Sequence, residues 1–237
     1  MCAFVFTEFS FVFLIWLLIG ISILYSLVLF AMSMLIGLNF FIESINENTT
    51  NNVVFTFDDG PHPEHTPKIL TILKEFNVKA VFFVIGKNAK ENPELIKQIV
   101  KEGHQIGTHS MNHKGGFGFL MGGNLKKEIS NAAEVVKNIV GERPLLFRPP
   151  FGVTNPLIAN EVTAQNLISV GWSVRSFDTP AKSIDEIIGR VVPKIKPNSI
   201  VLLHDRMPLT VKALPQMIEQ IKGKGFAMGK LETNQHA

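Results

Sequence analysis

The feature that most constrains this chain is an uncharged run of 34 residues between Glu8 and Glu43, most of it the apolar stretch FVFLIWLLIGISILYSLVLFAMSMLIGL. A helix rises about 1.5 Å per residue, so a helical run of this length would reach about 50 Å, whereas the hydrocarbon core of a bilayer is about 30 Å thick. The run therefore predicts a membrane segment at residues 1–43, with one long or tilted transmembrane helix at about 9–42.

The sequence disfavours two alternatives to a single span. A two-helix hairpin would leave about 17 residues per span, and its midpoint at Tyr25 and Ser26 carries no turn signal. A cleaved signal peptide would need a basic n-region and an apolar run of about 7–15 residues, and the sequence departs from both. We expect a retained single-pass segment and hence a cell-membrane protein. The first basic residue is Lys68, so charge near the span does not indicate its orientation.

The composition changes after residue 43 to that of a mixed-polarity globular domain. All 23 Lys and Arg and 18 of the 20 Asp and Glu lie there, which gives a net charge of +5 (23 minus 18). This charge is too diffuse to indicate nucleic-acid binding. Cys2 is the only cysteine, so no intrachain disulfide is expected. We expect a polar linker at 44–52, one catalytic domain at 53–232 and a short tail at 233–237.

Short β-branched and aromatic runs alternate with amphipathic helical stretches through this domain. About seven strands separated by helices predict a parallel, barrel-like α/β domain, with its chemistry at the carboxyl ends of the strands. Thr66 is expected to cap the first helix, with Pro67 at its first position. The predicted strands are 53–57, 78–85, 104–110, 145–147, 168–174, 199–205 and about 226–231, and the predicted helices are about 67–76, 92–103, 124–140, 156–166, 184–195 and 210–223.

Polar side chains follow several of these strands. Asp58 and Asp59, in TFDDGP, could shape a turn or carry chemistry, and adjacent strand residues should point to opposite sides. His109 and His113, in THSMNH, would face one point if the chain made a helical turn there, although two solvent-facing histidines would show the same spacing. With a neighbouring carboxylate they would form a His, His, Asp set for a divalent cation.

Two further strand ends carry candidates. In RPPFG, Arg148 could hold a carboxylate in its ionised form beside backbone N–H groups that face an oxyanion, or the segment could be a Pro-stiffened loop that bends at Gly152. His204 ends the strand SIVLLHD, and Asp178 could pair with it and keep its imidazolium protonated, as a general acid requires. An isolated histidine at a strand end is otherwise commonly structural.

In this order, TFDDG, HSMNH, RPPFG, the segment around Asp178 and LLH resemble the polysaccharide deacetylase (NodB homology) domain, also called carbohydrate esterase family four. The resemblance covers about residues 52–232. It implies an irregular (β/α)7 barrel that hydrolyses N-acetyl, and sometimes O-acetyl, groups of a carbohydrate polymer.

The resemblance also implies a role for each candidate. The divalent metal, most commonly Zn²⁺ with Co²⁺ or Ni²⁺ as alternatives, would be bound by Asp59, His109 and His113. Asp58 would be the general base on the metal-bound water, paired with Arg148. The oxyanion and substrate region would include Pro150, the backbone N–H of Phe151, and Leu202 at the acetyl methyl group. His204, partnered by Asp178, would protonate the leaving amine.

Two positions depart from the family pattern. The family often has an acidic residue and a tryptophan where this chain has Arg175 and Thr179, which bears on efficiency and substrate choice. We expect His62 and His65 to be loop residues and His104 to be structural. The glycine-rich stretch GGFGFLMGG at 115–123 is either a loop on the substrate side or a connector.

The expected function is deacetylation of an N-acetylglucosamine-containing glycan, such as peptidoglycan, a chitin-like polymer or another envelope polysaccharide, by a single-pass membrane protein with its catalytic domain outside the cytoplasm. One alternative is an O-acetyl esterase acting on a xylan-like polymer. Another is a glycan-binding membrane protein that keeps the metal site without turnover. The expected partners are the acetylated glycan and the membrane, with no specific protein partner.

Overall fold

The computed structural model describes residues 2–233, with side chains described from residue 11 onward. Its N-terminal helix, α1 (Cys2–Met34), is continuous, so the hairpin alternative is not adopted. Residues Phe11–Met34 have a mean hydropathy of 2.7 and are not buried against the rest of the chain. By length and composition α1 qualifies as a membrane span, although a signal sequence would meet the same criterion.

The domain is built on eight parallel strands in the order β1-β6-β5-β4-β3-β2-β8-β7. Helices connect most successive strands, as parallel neighbours require. The strands are β1 (Ser44–Ile45), β2 (Val54–Gly60), β3 (Ala80–Val84), β4 (Gln105–Thr108), β5 (Leu146–Phe147), β6 (Ile168–Val170), β7 (Val174–Arg175) and β8 (Ile200–His204). The helices are α2 (His65–Glu75), α3 (Gly86–Glu91), α4 (Pro93–Lys101), α5 (Gly122–Val140), α6 (Pro156–Ala164), α7 (Ile184–Val191) and α8 (Pro208–Gly223).

The sheet is curled into an incomplete barrel, which confirms the predicted fold class. Strands β6 and β7 lie near opposite ends of the strand order. Along the chain, however, only residues 171–173 separate them. Three linking residues span about 14 Å at most, so the two ends of the sheet must lie close together. Within residues 2–233, no pairing between β1 and β7 closes the barrel.

Strand β2 separates the core from the site. Phe55 and Phe57 belong to the cluster that packs the sheet against the outer helices, and the ring of Phe57 stacks on Phe82 at 5.1 Å. Val54 belongs to the cluster of the inner face. Because side chains alternate along a strand, Thr56 and Asp58 share that inner face with Val54. The sheet thus carries Asp58 into the barrel.

Several predicted elements differ from those observed. The predicted strand 168–174 is split at Gly171, where a side chain would collide with Asn46. The segment 226–231 forms a single bridge, from Met228 to Val53, instead of a strand. The short helix α3 was not predicted. Helix α2 begins at His65, so Thr66 is not its cap; the Thr66 hydroxyl accepts from the N–H of His62 at 2.7 Å.

The segment treated as a linker is integrated into the domain. Ser44 and Ile45 pair with β6, and Glu47 bridges to Ser199. A two-residue strand is too short to show a hydrophobic period, which is why residues 44–52 appeared to be a polar connection. Of the tail, residues 234–237 lie outside the described residues.

Candidate active site

Asp58 and Asp59 converge on one point because β2 contains a bulge. Asp58 pairs with Phe83 and Gly60 with Val84, so Asp59 is an extra residue in the ladder, with a left-handed φ of 71°. A bulge re-aims the side chain beside it. The expectation of opposite directions is therefore wrong: Nε2 of His109 lies 3.8 Å from Oδ2 of Asp58 and 3.8 Å from Oδ1 of Asp59.

The two histidines meet through a turn after β4 that is not helical. Ser110 and His113 both have a left-handed φ, 62° and 48°, and the N–H of His113 donates to Oγ of Ser110 at 3.0 Å. Nδ1–H of His109 donates to the carbonyl of Arg148 at 2.7 Å, which leaves Nε2 to face the carboxylates. Nε2 of His113 lies 3.4 Å from Oδ1 of Asp59.

These three side chains fit a divalent cation. One ligand atom from each of Asp59, His109 and His113 lies within 4.8 Å of the others. Oδ1 of Asp59 is buried and has no hydrogen-bond partner among the described residues. A buried carboxylate oxygen left unpaired beside two imidazole nitrogens is a donor set that suits a divalent cation. The bond from Nδ1 of His109 fixes its ring as outer-shell partners of metal ligands do.

The electrostatics favour the forms that bind metal. Burial opposes ionisation of Asp59, but His109, His113, His204 and a hydrogen bond from Arg206 together hold its pKa below the ordinary value. Burial lowers the pKa of His109 despite the two nearby carboxylates. An ionised carboxylate and a neutral imidazole are the species that coordinate a cation.

Arg148 fixes the orientation of Asp58. Its side chain is completely buried, and Nη1 donates to Oδ1 of Asp58 and to Oγ1 of Thr56, both at 2.7 Å. Nε donates to the carbonyl of Val170 at 3.1 Å and Nη2 to that of Gly171 at 2.6 Å. With Oδ1 of Asp58 engaged, Oδ2 is the oxygen that faces His109.

Partly buried His204 and fully buried Asp178 form a second pair. Nδ1–H of His204 donates to Oδ1 of Asp178 at 2.7 Å, and its backbone N–H donates to Oδ2 at 2.7 Å. Thr210 donates to the same Oδ2 at 2.6 Å. Burial opposes a charge on His204, but the hydrogen bond and charge of Asp178, together with the charges of Asp58 and Asp59, outweigh burial and raise the pKa of His204. The remaining ring nitrogen, Nε2, is available to the pocket.

The two aspartates and three histidines of the site line one cavity of about 210 Å³, whereas Arg148 and Asp178 are buried outside its lining. Phe151 has a left-handed φ of 60° and its ring lies 4.7 Å from that of His113. A Cβ on Gly152 would lie 2.5 Å from the ring of Trp172, so the loop and this ring are in close contact. The cavity is lined by Asp58, Asp59, His109, His113, Phe151, Gly152, Trp172, Arg175, Thr179, Leu202, His204 and Arg206.

The two departures from the family pattern lie in the cavity wall. The guanidinium of Arg175 lies over the rings of Trp172 (5.7 Å) and Phe177 (4.8 Å), and no carboxylate within residues 2–233 is recorded as its ion-pair partner. Oγ1 of Thr179 lies 3.5 Å from Nδ1 of His204. Trp172, which comes from the segment between β6 and β7, supplies an aromatic side chain to the cavity wall in place of the tryptophan absent at position 179.

Sequence reasoning missed Arg206, which donates from Nε to Oδ2 of Asp59 at 2.7 Å. Its position two residues after His204, in a loop at a strand end, is a signal that could have identified it. His62 and His65 stack on each other at 4.2 Å outside the cavity lining. His104 is buried, and its Nδ1 accepts from the N–H of Ala80 at 3.2 Å. Burial lowers the pKa of His104 to about 4.

Comparison with known proteins gives consistent results. A family model described as polysaccharide deacetylase matches residues 46–168. Two peptidoglycan-N-acetylglucosamine deacetylases of Bacillus cereus are 37% and 36% identical to the chain, over 73% and 76% of it. The aligned regions span 64% and 85% of those proteins. A chitooligosaccharide deacetylase of Azorhizobium caulinodans is 34% identical over 76% of this chain and 93% of that protein.

Solved structures share the fold. Peptidoglycan deacetylase PdaC of Bacillus subtilis superposes with a TM-score of 0.72 at 28% identity, over 77% of this chain and 88% of that one. A protein of Bacillus anthracis described as a CE4 family pseudoenzyme superposes with a TM-score of 0.74 at 27% identity, over 79% of this chain and 67% of that one. The shared architecture therefore occurs in proteins described as active and in one described as a pseudoenzyme.

Proposed function

Because the chain belongs to the polysaccharide deacetylase family, we propose that it is a metal-dependent hydrolase that removes N-acetyl groups from an N-acetylglucosamine-containing glycan. One observation carries the proposal: the Asp59, His109 and His113 set shares a single cavity with Asp58 and His204. The names of the relatives, which are peptidoglycan and chitooligosaccharide deacetylases, support this substrate class.

Asp58 and His204 each carry out one of the two proton transfers. A divalent cation held by Asp59, His109 and His113 would supply Lewis acidity toward the amide carbonyl and lower the pKa of water. Asp58 accepts the proton of the attacking water at Oδ2, since Arg148 engages its other oxygen. As the new C–O bond forms and the C–N bond breaks, His204 gives its proton to the leaving amine. The products are acetate and a free amino sugar.

The rest of the cavity positions the acetyl group. Leu202 is buried and its side chain lines the cavity with Trp172, so the two form an apolar wall suited to the methyl group. Phe151 lines the cavity beside His113, and its backbone N–H is our proposed donor to the oxyanion. Pro150 is buried and stiffens the loop that holds Phe151 in its left-handed conformation.

The test is acetate release by the full chain in detergent, with zinc or cobalt added, from peptidoglycan, chitin oligomers and acetylated xylan. We expect release from the first two. Asp58→Asn should retain bound metal but lose about 10²–10⁴ in rate, the usual contribution of a positioned general base. Asp185→Asn, the same change at an exposed position of α7, should leave the rate unchanged.

Each alternative predicts a distinct result in the same assay. Release from xylan alone would indicate an O-acetyl esterase. A chain that binds metal but releases acetate from none of the three polymers would be a glycan-binding protein without turnover, as the pseudoenzyme neighbour illustrates. Full activity in Asp58→Asn would refute its assignment as the base.

We also propose that α1 anchors the protein in the cell membrane with the catalytic domain outside the cytoplasm, where such polymers occur. The unburied, apolar Phe11–Met34 stretch supports this placement. Protease added to intact cells should degrade the domain, while the chain should fractionate with membranes. Release of the domain into the medium, cut after α1, would instead identify α1 as a signal sequence.

A further inference from the structure

The C-terminal end of α1 is hydrogen-bonded to a loop of the candidate active site. The carbonyl of Ser33 accepts from the N–H of Thr154 at 2.9 Å, and Oγ of Ser33 donates to the carbonyl of Thr154 at 2.5 Å. Thr154 is buried and lies three residues after Phe151, in the loop that follows β5. The last turn of α1 therefore packs beside the cavity and not at the far end of the barrel.

The residues after α1 make a second contact with the same end of the barrel. Ile36 is buried, and its Cγ2 would lie 3.4 Å from a Cβ on Gly171. Gly171 follows β6, and its carbonyl accepts from the buried Arg148. Oδ1 of Asn39 then accepts from the N–H of Ser44 at 3.1 Å, which fixes the path into β1. Both contacts lie at the carboxyl ends of the strands, where the cavity opens.

An exposed apolar loop lies beside these contacts. Phe119 is 83% exposed and Met121 is 70% exposed. The loop is held in place, because Nδ2 of Asn155 donates to the carbonyl of Gly118 at 2.8 Å. Asn155 adjoins Thr154, the residue on which α1 docks. We call the exposed apolar residues at this end of the barrel the rim; they are Leu38, Phe40, Phe119, Met121 and Phe151.

Cations flank the apolar loop. Lys114 precedes it, and Lys126 and Lys127 follow it; all three are exposed, and within residues 2–233 no ion pair is recorded for them. Apolar side chains flanked by lysines are typical of surfaces that enter the headgroup layer of an anionic bilayer. Large apolar side chains exposed together at one end of a stable domain indicate a binding surface. Its position beside the end of α1, which we propose to lie in the bilayer, favours the bilayer as its partner.

We propose that the rim enters the interfacial layer of an anionic membrane beside α1, so that the cavity opens toward the bilayer surface. The second half of the proposal rests on the proposed function: the glycan that this site deacetylates is carried at or anchored in that surface. A soluble oligosaccharide is also a substrate, but the membrane does not concentrate it near the cavity.

The first test measures how deeply the rim enters the bilayer, and it does not depend on deacetylase activity. In a Cys2→Ser background, the full chain is placed in nanodiscs containing phosphatidylglycerol and labelled at Phe119→Cys or at Glu142→Cys. Glu142 is exposed in the loop before β5, at the opposite end of the strands. We expect lipid-attached quenchers to reach the label at 119 and aqueous quenchers to reach the label at 142.

Two results would overturn the membrane assignment. A label at 119 that is as accessible to the aqueous quencher as the label at 142 would place the rim in water. A label at 119 shielded from both quenchers would show that a second protein copy or another protein covers it. If the label at 119 is quenched by lipid but the chain has no deacetylase activity, the membrane contact is supported and the proposed function is refuted.

The second test separates the substrates. The double variant Phe119→Ser, Met121→Ser changes exposed residues outside the cavity lining and should keep the wild-type unfolding temperature. We expect activity on soluble chitooligosaccharide within twofold of wild type, and activity on a lipid-anchored glycan in anionic vesicles reduced about tenfold. An equal loss on both substrates would make the loop part of the catalytic site and contradict the proposal.

Discussion

At the residue scale, the pair of His204 and Asp178 sets the expected response to pH. Burial would lower the pKa of His204, yet the hydrogen bond and charge of Asp178, with the charges of Asp58 and Asp59, together raise that pKa above the ordinary 6.5. The proposed general acid works only while protonated. The rate should therefore fall on the alkaline side as the pH passes the raised pKa of His204.

The variant Asp178→Asn tests this link. It removes the charge that raises the pKa of His204 and leaves the lowering effect of burial, so the alkaline limb of the kcat profile should move to lower pH. At neutral pH the rate should fall toward the loss of about 10²–10⁴ expected without a general acid. An unchanged limb would show that His204 is not the acid. Thr210→Val, which removes one hydrogen bond to Asp178 without removing its charge, should shift the limb less.

The identities of the polar residues were easier to predict than their directions. Asp58, Asp59, His109 and His113 follow apolar strands in the printed sequence, and such positions share one end of a parallel sheet. The bulge that turns Asp59 beside Asp58 has no comparable signal, because a left-handed φ at an aspartate depends on the ladder around it. Arg206 was missed because its contact with Asp59 joins residues 147 positions apart.

At the scale of elements, the loops at the strand ends depend on close packing of backbone against side chains. Gly152 has a φ of 69°, and a Cβ there would lie 2.5 Å from the ring of Trp172. The loop after β5 also carries Phe151 and receives the end of α1. A change at Gly152 should therefore disturb the cavity wall and the helix contact together.

Gly152→Ala and Gly189→Ala form a matched pair. The first should destabilise the domain by about 1–3 kcal/mol, since it combines strain at a positive φ with overpacking, and should lower activity. Gly189 lies exposed in α7 with no atom within 4 Å of its would-be Cβ, so alanine there should stabilise by about 0.5–1 kcal/mol. Thermal unfolding in detergent measures both. Equal effects at the two positions would contradict the packing argument.

The long elements were predicted, whereas two short ones, β1 and α3, were not. Helix α5 and strand β8 have clear periodic or continuous apolar patterns, and their predicted bounds differ from the observed ones by one or two residues. Strand β1 has two residues and α3 has six, lengths at which periodicity carries little information. The break at Gly171 depends on contacts with Ile36 and Asn46, which lie more than 120 positions away.

At the scale of the whole molecule, metal binding should be coupled to unfolding. A ligand bound only to the folded state at 100 times its Kd stabilises that state by about 2.7 kcal/mol. For a chain of this size the unfolding temperature should rise by roughly 5–10 °C when zinc is added after chelation. Scanning calorimetry with and without chelator measures the shift.

Two histidine variants identify the site that causes the shift. His113→Gln should lose this rise in unfolding temperature, because His113 is one of the three proposed ligands, while its backbone bond to Ser110 is preserved. His65→Gln should keep it, because His65 stacks on His62 outside the cavity. A shift that survives in His113→Gln, or disappears in His65→Gln, would place the metal elsewhere.

The connection between α1 and β1 limits how far the enzyme can work. Only residues 35–43 separate the two elements, a stretch that spans about 30 Å even when fully extended, and Ile36 within it is already buried against the domain. With α1 in the bilayer, the domain cannot travel outward through a thick polymer. Each layer of glycan would be modified only while it is new and close to the cell. If newly made glycan displaces older glycan outward, the degree of acetylation from outside to inside would follow the amount of enzyme over time.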